Sequence, residues 1–261
     1  MRISAKYLFV ASFAMFALTF IGCSGSGTVN NPPGPTTDSS KLVFTQGSSA
    51  NYQRSTLDSM PGEPVVMGSE ITFTQVLVDT SFVKLPYSKV QRYDNTYSTG
   101  APDSSFLWQS SNDEIYAYNF GIDFLNNNVA VSAVIGKVNI RWVLQAKMKA
   151  ALGTKWSAVD TTIMLPLPSF NNPALHLQDT AVVMADTTIL VGTEQIKTRH
   201  FQHTVTGTTA VGGASDVVDT YVSAALGATV LNRVHPSNVD AQLLVANKHS
   251  QGSVTIMTSH K

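Results

Sequence analysis

The stretch Val138–Met148 (VNIRWVLQAKM) shows the most regular alternation of apolar and polar residues in the sequence. Apolar residues occupy every second position from Val138 to Met148, Trp142 among them, and Val143 is the only apolar residue in between. Successive side chains of a β-strand point to opposite sides, so this spacing predicts a strand with one buried and one wet side. Such strands are typical of antiparallel sheets that pack one face on a core.

Shorter strand patterns recur at close intervals from residue 41 onward. Glu114–Ile122 alternates aromatic and other residues, and Lys89–Tyr97, which mixes polar and aromatic residues, predicts a strand with a wet face. Lys155–Leu165 follows a short turn and is predicted to form a hairpin with Val138–Met148. Ser48–Gly68 contains two prolines and is predicted to be mostly loop.

No segment beyond the N-terminal residues shows the roughly 3.6-residue period of an amphipathic helix. Charged residues make up 13% of the chain, about half of the roughly 25% that is usual, and Ser, Thr, Asn and Gln replace them. Strand surfaces tolerate such residues well. We therefore predict an all-β, mainly antiparallel fold in which residues 41–261 form a single domain, with a curved sheet that makes a half-barrel or sandwich and few helical turns.

Residues 1–22 have the features of a secretory signal peptide. Arg2 and Lys6 precede an apolar run from Tyr7 to Ile21, and a polar segment follows at once. The run is shorter than the roughly 20 apolar residues that a membrane-spanning helix needs. The sequence therefore predicts export and removal of the segment.

The end of this segment, Phe20-Ile21-Gly22-Cys23, resembles the lipobox of bacterial lipoproteins. The resemblance implies that the signal is cut between Gly22 and Cys23. It also implies that the Cys23 sulfur receives a diacylglyceryl group and that the new amine is acylated, for example with palmitate. Ser24 is not the Asp that marks inner-membrane retention in some lipoproteins, so the resemblance implies the outer membrane, with either its periplasmic or its outer surface as the place of the domain.

Residues 23–40 show no apolar periodicity and predict a flexible linker behind the lipid anchor. Such a linker has a root-mean-square reach of about 20–25 Å. Cys23 is the only cysteine of the chain, so no intrachain disulfide can form. The domain must therefore be held together by apolar burial and by the hydrogen bonds of its sheet.

Two short motifs in the C-terminal half resemble those of a group of uncharacterised bacterial lipoproteins. Gly192–Arg199 (GTEQIKTR) is similar to a strand entry of that group. Asp219–Val222 (DTYV), followed by Leu226-Gly227 and Val230, is similar to a later strand pair. The resemblance spans about Trp142–Val234 and implies an antiparallel, partly open β-barrel or curved sheet behind a lipobox, but no particular chemistry.

Removal of the signal leaves 15 basic and 17 acidic side chains, a net charge near −2. This charge gives no positive field that would attract nucleic acid. The expected partners are therefore the membrane, through the anchor, and a hydrophobic ligand or another envelope protein.

Residues that could carry catalysis or bind a metal do not form a recognised motif. His200 and His203 are three residues apart on a predicted strand and point to opposite faces, which argues against a shared metal ion. Ser215, Asp216 and His203 could be combined into a triad, but no Gly-x-Ser-x-Gly motif is present. We expect no catalytic residue, no metal and no cofactor.

Five aromatic residues could either fill the core or line a cleft for a sugar or an apolar ligand: Trp108, Tyr116, Tyr118, Phe120 and Trp142. Aromatic side chains in β proteins more often fill the core, and we predict that role here.

The sequence thus predicts a lipid-anchored protein of the bacterial cell envelope with a non-enzymatic binding or scaffolding β domain. Two alternatives stay open. One is a carrier or sensor that holds a hydrophobic ligand in an open β-barrel, and the other is a membrane-anchored hydrolase.

Overall fold

A single antiparallel sheet curls around until its two outer strands approach each other. The computed structural model describes residues 42–58, 66–118, 142–164, 174–210, 212–241, 249–250 and 252–261. Within these ranges the strands are β1 (Ser49–Asp58), β2 (Val66–Lys84), β3 (Tyr87–Tyr97), β4 (Asp103–Gln109), β5 (Glu114–Tyr118), β6 (Trp142–Lys147), β7 (Lys155–Met164), β8 (Ala174–Val191), β9 (Glu194–Thr209), β10 (Gly212–Ser223), β11 (Ala228–Val234), β12 (Ser237–Ala241), β13 (His249–Ser250) and β14 (Gly252–His260).

The strand order is β6-β5-β4-β3-β2-β1-β14-β11-β10-β9-β8-β7, with β12 beside β10 and β13 beside β12. The first and last strands are neighbours at the centre of this order, where Ala50 lies opposite His260 and Leu57 opposite Gly252. The prediction of an all-β, antiparallel fold is confirmed, and no helix occurs in the described ranges. The curved sheet is a nearly closed barrel rather than a sandwich.

The two ends of the strand order are joined by side chains, and no backbone ladder between β6 and β7 is found among the described residues. The indole Nε1 of Trp156 on β7 donates a hydrogen bond to the carbonyl oxygen of Leu144 on β6, at 3.0 Å. The Nε2 of His203 on β9 donates to the carbonyl oxygen of Gln145, at 2.8 Å. We call this junction of β6 with β7 and β9 the seam.

The turn after β6 is fixed to the same side of the barrel. The guanidinium of Arg199 on β9 donates hydrogen bonds to the carbonyl oxygens of Met148 and Ala150. Apolar residues from both ends of the strand order form one buried cluster beneath the seam: Leu42, Ile115, Ala146, Met148, Trp156, Ala181, Val183, Phe201, Val222 and Ala224. Burial of this cluster therefore holds the sheet in its curled form.

Residues 42–48, which precede β1, pack against one end of the barrel. The Val43 amide donates to the carbonyl oxygen of Ala224 at 2.9 Å, and the Gly47 amide donates to that of Leu77 at 2.8 Å. Gly227, in the turn between β10 and β11, has a φ of +59°, and a Cβ there would lie 2.3 Å from the Val43 carbonyl oxygen. Only glycine fits this close approach.

The predicted hairpin between the strands at Val138–Met148 and Lys155–Leu165 is wrong. β6 pairs with β5, and β7 pairs with β8. The reason lies in the connecting turn, because the Gly153 amide donates to the carbonyl oxygen of Val183 and the Val183 amide donates to that of Thr154. The chain therefore enters β7 already hydrogen-bonded to β8.

The predicted alternation along β6 holds only in its second half. The register with β5 shifts at Gln145, which is an extra residue and forms a β-bulge. After the bulge, Ala146 and Met148 are buried as predicted. Before it, Val143 is the buried residue, 1% exposed, and Trp142 lies on the half-exposed face. The inserted residue therefore reverses which positions of β6 point to the core and which point outward.

The loop prediction for Ser48–Gly68 is also wrong, because most of that stretch belongs to β1 and β2. Its two prolines lie within 59–65, outside the described residues. The predicted signal, lipobox and linker, residues 1–40, lie outside them as well. All described residues belong to one compact unit, Asp38–Lys261, and none of them forms a helix that is long and apolar enough to cross a bilayer.

We expect Trp156→Phe to lower the free energy of unfolding by about 1–2 kcal/mol, because it leaves a carbonyl oxygen of the seam without its donor. Trp142→Phe is the matched control. The indole of Trp142 donates to the carbonyl oxygen of Leu85, a residue that is 74% exposed, so water can replace the lost donor. Its expected effect is below about 0.5 kcal/mol. Urea unfolding of both variants measures the difference, and equal losses would contradict this role of the seam.

Candidate functional site

The barrel holds a cavity of about 470 Å³ behind strands β1 to β5. Tyr93 and Asn95 on β3, each 5% exposed, lie deep in it, whereas Asp103 at the start of β4 is exposed. We call it the inner cavity. Its lining mixes polar, aromatic and aliphatic residues: Tyr52, Phe73, Gln75, Tyr93, Asn95, Tyr97, Asp103, Ser104, Ser105, Phe106, Leu107, Ala117, Tyr118, Gln145, Ala228, Thr229, Asn232 and Thr255.

Aromatic rings form a row along one side of the inner cavity. Tyr52 and Phe73 stack with ring centroids 4.9 Å apart, and Phe73 lies 5.1 Å from Tyr97. The phenol of Tyr52 donates to the Thr229 carbonyl oxygen at 3.0 Å. Burial raises the pKa of this phenol above its usual range, so Tyr52 remains a neutral donor at physiological pH.

Amide side chains form a connected chain of hydrogen bonds on the same strands. Gln75 Nε2 donates to Asn95 Oδ1 at 3.0 Å and to the Ser105 hydroxyl at 3.2 Å. Asn95 Nδ2 donates to Asp103 Oδ1 at 2.7 Å, and the Tyr97 phenol donates to the same carboxylate at 3.2 Å. The chain fixes the orientation of each amide from the deep end of the cavity to its exposed end.

Two further amides face the inner cavity with unused donors. Gln145 is 4% exposed, and its side-chain nitrogen donates to no other described residue. The β-bulge at this position keeps its side chain on the inner side of β6. Asn232 on β11 accepts a hydrogen bond from the Thr220 hydroxyl through Oδ1, at 3.0 Å. This contact leaves its Nδ2 as a donor in the cavity lining. The cavity can therefore supply hydrogen bonds to a bound molecule.

A second polar cluster lies on the other face of β9 and β10. Asp219 accepts hydrogen bonds from His200 at 2.8 Å, from His235 at 2.6 Å and from Gln202 at 3.1 Å. The His200 ring stacks on Tyr221 with centroids 4.2 Å apart. Burial raises the pKa of Asp219, but the hydrogen bonds from His235, His200 and Gln202 outweigh it and hold the pKa below the ordinary value.

The two histidines of β9 point to opposite faces, as predicted. His203 is fully buried, and its Nδ1 lies 3.0 Å from both carboxylate oxygens of Asp179. Because a carbonyl oxygen only accepts, the Nε2 of His203 carries a proton at its contact with Gln145. No group of three or more metal-ligating side chains with suitable geometry is found within the described ranges.

The triad considered from the sequence is not assembled. Ser215 is exposed, whereas its chain neighbour Asp216 is buried on the opposite face of β10. His203, which would have to activate the serine, is buried on the inner side with Asp179. A serine on the outer surface therefore cannot reach this imidazole.

The aromatic residues predicted to fill the core lie instead on the half-exposed face of β4 to β6. The tip of the β2–β3 hairpin covers them, and Tyr87 stacks on Trp108 with centroids 3.8 Å apart. Burial, followed by the charge and hydrogen bond of Glu114, raises the pKa of Tyr116 to about 12. On β5 the residues that face the core are instead Ile115 and Ala117, which alternate with these aromatic residues. Tyr118 and Trp142 belong to the same cluster, and Phe120 lies outside the described residues. Tyr118 also lines the inner cavity, which is the alternative role considered for these aromatic residues.

Comparisons with known proteins found distant likenesses in solved structures. A predicted lipoprotein from Parabacteroides distasonis matches with a TM-score of 0.47 and 8% identity, over 84% of this chain and 97% of the other. A predicted exported protein with a YmcC-like fold from Bacteroides fragilis matches with a TM-score of 0.40 and 8% identity, over 85% and 98%. The hypothetical lipoprotein YmcC from Escherichia coli gives 0.34 and 12%, over 80% and 84%.

No protein-family model matches the sequence, and no curated protein shows significant similarity to it.

Sequence reasoning missed the inner cavity. Its lining comes from strands far apart in the chain, and β1, which supplies Tyr52, was predicted as loop. A signal was present on β2 and β3, where Phe73 and Gln75, and then Tyr93, Asn95 and Tyr97, alternate aromatic and amide side chains on one face. A core-facing strand rarely combines these types, so the pattern indicates a wet interior surface.

The lowered pKa of Asp219 predicts a loss of stability in acid. In the unfolded chain the Asp219 carboxyl takes up a proton near its ordinary pKa of 3.8, at a higher pH than in the folded protein. The free energy of unfolding therefore falls as the pH drops through this range. We expect Asp219→Asn to lower stability at pH 7 and to flatten the dependence between about pH 5 and pH 3.

The matched control is Asp186→Asn, because the Asp186 side chain is 70% exposed. Urea unfolding across this pH range should give the control the slope of the unchanged protein. An unaltered slope in Asp219→Asn would contradict the assignment.

Proposed function

We propose that this chain is a lipid-anchored protein of the bacterial cell envelope whose β-barrel is a non-enzymatic binding module. The observation that carries the binding function is the inner cavity, with unused donors on Gln145 and Asn232. A cavity of about 470 Å³ lies within the range of about 300–1,000 Å³ that is usual for small-molecule sites. Its polar groups are held in place by hydrogen bonds before any ligand arrives.

The anchor is supported by the lipobox-like sequence that ends at Cys23. One acyl chain gives only marginal membrane binding, whereas the two or three chains of a lipoprotein cysteine give stable anchoring. Ser24 supports the outer membrane as the destination. The linker of residues 23–40 keeps the domain close to the bilayer while leaving it free to meet a ligand.

The lining of the inner cavity favours a polar ligand over a hydrophobic one. A carrier of a hydrophobic molecule needs a continuous apolar wall, but amides and hydroxyls on β2, β3, β4 and β6 interrupt this one. Covering the buried amide of Gln145 with an apolar ligand would leave its donor unsatisfied, which costs about 1–3 kcal/mol. No arrangement of side chains in the described residues favours a hydrolase.

We expect Cys23→Ser to abolish lipid attachment and to move the protein from the detergent phase to the aqueous phase in a cloud-point partition. Mass spectrometry of the unchanged protein should show an N-terminus at Cys23 that carries acyl chains. Ser26→Ala, three residues further along the linker, is the control and should behave like the unchanged protein. An unmodified Cys23, or cleavage at another residue, would contradict the proposal.

Filling the inner cavity should abolish binding without unfolding the barrel. Ser105→Phe places a ring inside it, whereas Ser157→Phe places the same ring at an exposed position of β7. Native mass spectrometry, with the small-molecule fraction of a cell-envelope extract added, should show an adduct on the unchanged protein and on Ser157→Phe. We expect none on Ser105→Phe. An unchanged protein that shows no adduct would contradict the binding function.

A further inference from the structure

We propose that the inner cavity binds a neutral mono- or disaccharide. This inference rests on the proposed binding function and specifies its ligand class. Sugars combine hydroxyl groups, which both donate and accept hydrogen bonds, with a C–H face that packs on aromatic rings. The inner cavity offers partners for both.

The amides supply the hydrogen-bonding partners. Gln75 Nε2 donates to Asn95 and Ser105, and Asn95 Nδ2 donates to Asp103 and Ser105, so Gln75 can offer its Oε1 as an acceptor with a fixed direction. Gln145 on β6 and Asn232 on β11 add donors from other strands of the same lining, and the Thr220 hydroxyl holds Asn232 in place. Planar amides that present a donor and an acceptor side by side are suited to neighbouring hydroxyl groups. Because they are already oriented, less entropy is lost on binding.

The aromatic row supplies the packing surface. Tyr52 is buried and supports Phe73 by stacking at 4.9 Å, while Phe73 and Tyr97 remain half-exposed towards the open side. Phe73 lies between Tyr52 and Tyr97 in this row, so the surface that can meet a sugar is the half-exposed side of the row. A sugar ring laid against it would place its hydroxyl groups level with the amides of the same strands.

The charge of the lining points to a neutral ligand. No Lys, Arg or His is among the described residues that line the inner cavity, and Asp103 is their only charged side chain. Its carboxylate already accepts from Asn95 and Tyr97. An anionic ligand, such as a sugar phosphate or a fatty acid, would meet no cationic side chain of this lining and would be repelled by Asp103 at the exposed end. The nearby Lys84 Nζ is held over the rings of Phe106 and Tyr118, at 4.0 and 4.1 Å.

The test is binding of defined sugars to the full-length lipidated protein, solubilised in a detergent without a sugar headgroup. The probes are glucose, galactose, mannose, N-acetylglucosamine, maltose and cellobiose, with glucose 6-phosphate and palmitate as charged comparisons. Saturation-transfer NMR identifies binding, and titration calorimetry measures affinity. We expect at least one neutral sugar to bind, and the phosphate and palmitate to bind at least tenfold more weakly.

Two substitutions in the inner cavity and one control on the outer surface separate binding in the cavity from binding elsewhere. Gln145→Leu keeps the size of the side chain but removes its amide, and we expect it to weaken sugar binding at least tenfold. Gln178→Leu makes the same change at an exposed position of β8 and should leave the affinity unchanged. Phe73→Leu, which removes the packing ring, should also weaken binding at least tenfold. Circular dichroism and the thermal midpoint verify that each variant is folded.

The saccharide proposal is overturned if no neutral sugar binds, if palmitate or the phosphate binds more tightly, or if Gln145→Leu and Phe73→Leu both bind as the unchanged protein does. These outcomes leave the general binding function standing as long as the envelope extract gives an adduct that Ser105→Phe abolishes. Absence of that adduct would remove the general function instead.

Discussion

The barrel depends on how the backbone carbonyl oxygens on the free edge of β6 receive hydrogen bonds at the seam. β6 pairs with β5 on one side, and its other edge would present unpaired carbonyl oxygens to the interior or to another chain. The indole of Trp156 and the imidazole of His203 donate to these oxygens, and Arg199 does so beyond the end of the strand. Each ring nitrogen of His203 has its own partner, the Gln145 carbonyl oxygen at Nε2 and the Asp179 carboxylate at Nδ1. Side chains thus replace the missing ladder.

Closure at the seam creates two different interiors behind one sheet. Beneath the seam, Trp156 and Phe201 pack with small apolar residues into a filled core. Behind β1 to β5, the enclosed surface carries amides and phenols, and their packing leaves the inner cavity open. The filled part holds the barrel together without a disulfide, so the other part can keep polar groups that contribute less to stability. Such a division suits a binding module, in which a rigid frame orients the groups that meet the ligand.

The sequence allowed some elements to be predicted and misled on others for local reasons. The alternation of β5 was predicted correctly, with Tyr116 and Tyr118 on one face, but the choice of buried face was wrong because the β2–β3 hairpin covers the aromatic side from outside. The opposite orientation of His200 and His203 follows from their spacing and was predicted correctly. The prediction of the buried face of β6 failed at Gln145, because a one-residue bulge there reverses which residues point inward. Val143, the one apolar residue outside the alternating pattern, is the trace of this bulge in the sequence.

By itself, the sequence determined that the chain forms antiparallel strands, because period-two alternation and low charge suit a sheet with one wet face. It also determined that no disulfide holds the fold and that Cys23 ends a lipobox-like segment. Only the tertiary structure decided that the sheet curls into a nearly closed barrel and that Gln145 turns inward beside Asn95 and Asn232. The physical reason is that alternation is a local property of one strand. Closure and the inner cavity arise from contacts between strands far apart in the chain, whose register depends on bulges and on the side-chain donors of the seam.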